Sequence, residues 1–175
     1  MALQLSKRLI ELEWKAASLL MLAMNKHGNK IYVAYSGGKD SKVILHLARK
    51  MNPNVLVVHN AHPEETCDLR RGVLIIKEPK SNFKEFLQYV DLTAQIDGTT
   101  RFEEGKTVIF DGKEINRFDI PAAYNPRGVF SLEIYYPILE WEAADVWEYI
   151  RYYSLMSEDE IANYKSSRPY KEIYL

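Results

Sequence analysis

The chain has 175 residues, one domain's length, and a globular fold of that size buries roughly 70% of its unfolded surface. Hydrophobic residues make up 47% and charged residues 27%, ordinary for a soluble globular protein, and a formal charge of −1 argues against general affinity for nucleic acid or a membrane surface. The single cysteine, Cys67, excludes an internal disulfide framework and any all-cysteine metal or iron–sulfur site within one chain, and fits a reducing cytoplasm.

In chain order, the apolar spacing predicts a helix over residues 5–24, stopped by Asn25 and Gly28 and packed on a sheet. Residues 16–24 are almost wholly apolar, but Glu11 and Glu13 stand just before them and the run is too short to span a bilayer, so no membrane role is expected. Residues 31–34 form a first strand. Val43, Ile44, Leu47, Ala48 and Met51 then mark one buried face of a helix that ends near Asn52 and Pro53. The β-branched run 55–58 is a second strand, buried on both faces and ending at His59 and Asn60, and residues 73–76 a third.

Ser81 is placed to cap a helix over residues 82–90, with Phe83, Phe86, Leu87 and Val90 on its apolar face, and residues 92–96 make a fourth strand. Asp111 and Gly112 between two apolar runs predict a hairpin, because Asp-Gly supplies the positive φ angles of a two-residue turn. Residues 117–127 read as loop, 129–135 as a fifth strand and 141–153 as a helix. Trp14, Trp141 and Trp147, at helical spacings, are expected in the core. The tail from residue 157 holds one short helix, with Arg168, Pro169 and Tyr170 on the surface. The expectation is one α/β domain over residues 1–175: N-terminal helix 5–24, core 30–155, tail 156–175. It has three layers around a mostly parallel five-stranded sheet with a small hairpin insertion.

The chemistry concentrates in Tyr35, Ser36, Gly37, Gly38, Lys39, Asp40 and Ser41, a strand-to-helix turn. Two adjacent glycines let the backbone turn sharply and approach a ligand with no Cβ in the way. Their N–H groups, with those of the first helical turn, make a concave set of donors aimed at an anion. Ser36 and Ser41 add hydroxyls, Lys39 a positive charge, and Asp40 a carboxylate able to hold Mg²⁺ beside a phosphate. The object that fits is a phosphate chain. A Walker A loop is excluded, since it would need glycine where Val33 stands and Ser or Thr where Asp40 stands.

Arg101, after strand four, can hold a phosphate or sulfate through two parallel hydrogen bonds, and Glu104 can orient it or assist a metal. His59 and His62, with Glu64, Glu65 and Cys67 nearby, are only a weak metal signal, and no structural zinc is expected. His27 and His46 read as incidental.

Residues Ser36 to Ser41 resemble the PP-loop of the ATP pyrophosphatase and adenine nucleotide α-hydrolase superfamily. The chain resembles in particular its phosphoadenosine phosphosulfate (PAPS) reductase family, which also takes in the small subunit of ATP sulfurylase and eukaryotic-type FAD synthetases. A G-x-R-x-x-E-S motif of that family is matched by Arg101 and Glu104, with Thr99 and Gly105 replacing its flanking residues. Asn60, Pro63, Glu64 and Thr66 are similar to its tract after strand two, and Pro137, Ile138, Trp141, Asp145, Val146, Trp147 and Ile150 match its late tryptophan motif closely.

The resemblance implies adenine near Ala34, Tyr35, Val58 and His59, and phosphates on Ser36, Gly38, Lys39, Asp40 and Ser41, with Mg²⁺ on Asp40. Arg101 would lie across the site, and Arg117 and Arg127 are further anion contacts. It implies an enzyme that takes ATP or a PAPS-like adenine nucleotide and reacts it at the α phosphorus with an unidentified acceptor. The reductases' C-terminal nucleophilic cysteine is absent, since no cysteine follows Cys67. Two alternatives stand beside this reading: a thiol-dependent PAPS or APS reductase using Cys67, and a non-catalytic module that sequesters an adenine nucleotide. The sequence leaves the oligomeric state open, a homo-oligomer included.

Overall fold

The structure is a computed structural model and describes residues 4–60, 72–76, 90–102, 107–110, 112–119 and 132–167. Helix α1 (Lys7–His27) starts at Ser6, whose hydroxyl accepts the Leu9 N–H, and ends at Gly28, whose φ of 56° and N–H to the Met24 carbonyl close the last turn. Its buried stripe is Leu9, Ala16, Leu20 and Ala23. Then follow β1 (Ile31–Ala34), α2 (Lys39–Met51), β2 (Leu56–Asn60), β3 (Leu74–Ile76) and β4 (Ala94–Ile96). The expected hairpin is β5 (Thr107–Phe110) with β6 (Lys113–Asn116), antiparallel, with Gly112 at φ 72°. A 3₁₀ turn (Arg117–Asp119), β7 (Glu133–Tyr135), α3 (Ala143–Tyr152) and α4 (Glu158–Ser167) complete the described chain.

The main sheet has the order β3-β2-β1-β4-β7, and every pairing in it is parallel. The α/β class and the five-stranded parallel sheet expected from the sequence are therefore present. Alternation along each strand sorts side chains between two faces. Val33, Val57, Ala94 and Ile96 join the large core with α1, α2 and α3, while Tyr32 and Val58 are buried on the opposite face with Ala34, Leu92 and Leu132. The helix expected over residues 82–90 lies outside the described residues, apart from Val90.

Trp141 and Trp147 are nearly inaccessible, as expected, and at about 1.5–3 kcal/mol per fully buried large apolar side chain they are major contributors to the core. Trp14 is not in the core. It is 72% exposed, because its position on α1 points away from the stripe of Leu9, Ala16 and Leu20. His46 is not incidental either. Its Nδ1 lies 2.9 Å from the Tyr149 hydroxyl and its ring packs on Tyr149 and Tyr153. Glu13 accepts from Lys50 at 2.6 Å and from the Tyr153 hydroxyl at 2.9 Å, so one carboxylate on α1 ties α2 and the end of α3 together. His27 closes α1 onto the sheet through Thr93 at 2.9 Å and Glu133 at 3.1 Å. Lys26, the Tyr135 hydroxyl and His27 all hydrogen-bond to the Glu133 carboxylate and push it down to about 2.

Candidate nucleotide site at the carboxyl ends of the strands

Sheet order fixes where a ligand can sit. The chain runs outward from β1 through β2 to β3 and then returns to place β4 on the other side of β1, so strand order reverses between β1 and β4. In an open parallel sheet the crevice beyond that reversal is the ligand site. The loop after β1 and the segment after β4 both open toward it, and Gly98 lies against Asp40 and Ser41 at the start of α2.

The loop is built around backbone. Gly37 has φ 79°, a conformation that L side chains rarely adopt. Gly38 is the N-cap residue of α2, and no side chain caps that helix. The hydroxyls close on themselves: Ser36 Oγ lies 3.3 Å from Ser41 Oγ, and Ser41 Oγ donates to the Gly38 carbonyl at 2.8 Å. Ser36 and Gly37 are exposed, whereas Ser41 is buried under the first turn of α2. Lys39 is also buried, at 8% exposure, and its ammonium meets the Asp40 carboxylate at 2.9 Å. A cation and a carboxylate thus lie together at the positive end of a helix dipole.

Tyr35 and His59 define the adjoining edge. Tyr35 donates its N–H to the Val58 carbonyl at 2.9 Å, and His59 Nδ1 hydrogen-bonds to the Tyr35 carbonyl with the two rings edge to face. Val58 itself is inside the sheet, aligned with Ala34 of β1 and Leu74 of β3.

Arg101 stands at the expected strand end, and it is already held by two carboxylates. Its Nε and Nη2 meet Glu140 at 2.8 and 2.6 Å, and its Nη1 meets Asp119 at 3.0 Å. Hydrogen bonds to Asp119 and then Glu140 raise its pKa further. Asn116 donates to the Arg101 carbonyl at 2.9 Å, so the hairpin and its 3₁₀ turn are fastened to the end of β4 through this residue. Arg117 lies over the ring of Phe118, which in turn packs edge-on against Tyr136. Glu104, Arg127, His62, Glu64, Glu65, Thr66 and Cys67 lie outside the described residues. Among those described, no group of three His, Cys, Asp or Glu side chains is arranged to hold a metal.

Two residues escape sequence reasoning. A Cβ on Gly98 would lie 3.0 Å from the Asp40 carbonyl oxygen and 3.1 Å from its carbon, so any side chain there would have to push β4's exit and the first turn of α2 apart. In the sequence Gly98 stands one position before Thr99, the residue that replaces the motif's glycine. The second is Tyr164 on α4, whose hydroxyl is 3.6 Å from where a Cβ on Gly38 would stand. It packs edge-on against Trp147, while the neighbouring Glu160 reaches Lys42 of α2 at 3.8 Å. The short helix expected in the tail is therefore present, anchored by buried Ile161 and set against the loop after β1, while Arg168, Pro169 and Tyr170 lie outside the described residues. No local pattern in the sequence ties residue 164 to residue 38.

A strand, a two-glycine turn and a helix start with no side-chain cap thus stand together at the switch point of a parallel sheet. Residues 30–100, from the approach to β1 through Thr100, match the model of the phosphoadenosine phosphosulfate reductase domain family. The fold is similar to solved structures of Candida glabrata FMN adenylyltransferase. The form in complex with FAD and inorganic pyrophosphate shares 17% identity at a TM-score of 0.55, and the match covers 85% of this chain and 60% of that one. The form in complex with FMN and the ATP analogue AMPCPP shares 16% identity at 0.55, over 85% and 61%. This chain thus spans about three-fifths of the length of those structures, and at such identity the likeness is one of fold. No curated protein matches the sequence. No helix among the described residues is long and apolar enough to cross a membrane.

Proposed function

We propose that the protein is an enzyme that binds ATP, or a related adenylyl nucleotide, with Mg²⁺ and transfers the adenylyl group to an acceptor with release of pyrophosphate. The observation that carries this reading is the glycine-capped start of α2 at the strand-order reversal, with Lys39, Asp40, Ser36 and Ser41 gathered on it. The PAPS reductase domain and the shared fold with an adenylyltransferase support the same class of chemistry.

In the reaction the acceptor oxygen forms a bond to the α phosphorus, the bond from that phosphorus to the α–β bridging oxygen breaks, and both electrons leave with pyrophosphate. The loop amides and Lys39 would take the growing charge on the leaving group, and its residence on fixed donors requires no reorganisation at the moment of reaction. Asp40 suits Mg²⁺, which binds through one or two carboxylates shared with phosphate oxygens; the ion would neutralise part of that charge. Asp40 and Lys39 already face each other, so a Mg²⁺–phosphate pair would meet two complementary partners. Tyr35 and His59, on the β1–β2 edge, would border the adenine, and Arg101, with Arg117 behind it, would face the acceptor side.

The test is chromatography of nucleotides after incubation with Mg²⁺ and ATP, and separately with PAPS, with Asp40→Ala as control. AMP or an adenylylated product plus pyrophosphate from ATP, lost in the variant, is the expected result. Intact ATP alongside PAPS converted to adenosine 3′,5′-bisphosphate would replace adenylyl transfer with sulfonucleotide chemistry, and Cys67→Ser would then decide whether the single thiol takes part. Tight nucleotide binding with no turnover of either would leave a sequestering module.

A further inference from the structure

Helix α1 is buried on one side and carries a second apolar stripe on the other. Ile10, Trp14, Met21 and Leu22 are 51%, 72%, 55% and 63% exposed, and at about 100° per residue they fall within one-third of the helix circumference. Scattered surface leucines need no explanation, but four large apolar side chains on one face reach the range of roughly 300–600 Å² that marks an interaction surface. The stripe has nothing to do with the phosphate loop, since α1 packs on the sheet and α2 through its opposite side.

The arrangement along the helix says what fits it. Ala17 and Ser18 lie at the middle of the 21-residue helix, small enough for a close crossing, and the Ser18 hydroxyl already donates to the Trp14 carbonyl at 2.9 Å, so burying it strands no donor. Large side chains stand on either side of that midpoint, Trp14 before it and Met21 and Leu22 after it. We propose that this face is a homodimer interface in which two α1 helices cross antiparallel about a two-fold axis beside Ala17 and Ser18.

The two-fold operation sets Trp14 of each copy against Met21 of the other, a sulfur–aromatic contact made twice, and brings Ile10 toward the Asn25 end. A helix of this length spans about 31 Å, and the stripe with its polar flanks approaches the roughly 800 Å² per partner that a specific interface uses.

Sedimentation equilibrium of the full chain from about 1 to 100 μM tests the proposal, that range being where interfaces of such size hold together or fail. The wild-type protein is expected to dimerise and Trp14→Glu to remain monomeric, with dimer association weakened about 100-fold or more. Helix content and unfolding midpoint should stay unchanged, because the side chain is mostly exposed. In a Cys67→Ser background, Ser18→Cys should oxidise to a disulfide-linked dimer, which places the axis. A wild-type protein monomeric across the range overturns the proposal and gives the face to a different partner. A dimer that Trp14→Glu leaves intact, or that Ser18→Cys does not cross-link, overturns it by placing the interface elsewhere.

Discussion

Helices α1 and α2 begin in opposite ways. At α1 the Ser6 hydroxyl accepts the Leu9 N–H, and Glu148 accepts from both the Ser6 N–H and its hydroxyl, so the helix start is closed by protein groups. The later helices follow the same rule: at α3 the Glu142 N–H donates to Asp145 at 2.8 Å, and at α4 Ser157 and Glu160 exchange hydrogen bonds. At α2 the N-cap is Gly38 and no side chain caps it. A capped start is a stability device, and an uncapped one at a strand switch point is what an anion would complete. The contrast separates helix starts closed by side chains from one that, in the proposed function, is left for a phosphate.

The largest effect is expected at Lys39. Lys39→Ala should lower turnover by on the order of 10²-fold or more, as when one oxyanion donor is removed, with a near-normal far-UV spectrum. Unchanged turnover would remove Lys39 from the chemistry. Gly38→Asp sharpens the contrast by giving α2 the kind of cap the other helices have. The glycine's φ of −72° suits any residue and its Cβ would have 3.4 Å to Ser36 Oγ, so the variant should fold. It should hold its unfolding midpoint or gain up to about 1 kcal/mol from the new cap, while its affinity for pyrophosphate falls tenfold or more in a calorimetric titration. Retained affinity would mean that phosphate does not use this helix end.

Gly98→Ala presses on the same helix end from the other side. Its Cβ would meet backbone at 3.0 Å, which has little room to give, so denaturant unfolding should show a loss of about 1–3 kcal/mol, with nucleotide affinity reduced as well. Ser6→Ala, at the capped end, should cost about 1 kcal/mol and leave nucleotide binding untouched, the reverse of Gly38→Asp. The smallest effect is a pH dependence at the α1–α2–α3 junction. Burial, with Lys50 adding to it, lowers the pKa of His46, so its neutral form is favoured in the fold. That contribution is whole above the unfolded value near 6.5 and is lost as pH falls from there toward the lowered folded value. Urea midpoints measured at about pH 7.5 and 5.5 should therefore differ less in His46→Gln than in the wild type.

The sequence by itself determined the local units. Residues 31–41 can only be a strand, a glycine turn and a helix, because β-branched and aromatic residues, two glycines and a 3.6-residue apolar spacing follow one another there. The strands came with the right order of appearance, and Asp-Gly placed the hairpin. Tertiary structure alone decided what meets at the site. Arg101 finds Asp119 and Glu140 only when the hairpin and the chain after β7 reach the end of β4. Gly98 matters because β4 lies next to β1 and runs its exit against Asp40. Tyr164 meets Gly38 because Ile161 buries α4 on the core. Trp14 is outside for a similar reason: α1 has apolar residues all round, and only the docking of Leu9, Ala16 and Leu20 chooses which side is left to solvent. Local pattern depends on neighbours in the chain and is legible there. Contacts across tens of residues depend on sheet order and helix orientation, which single-residue propensities do not encode.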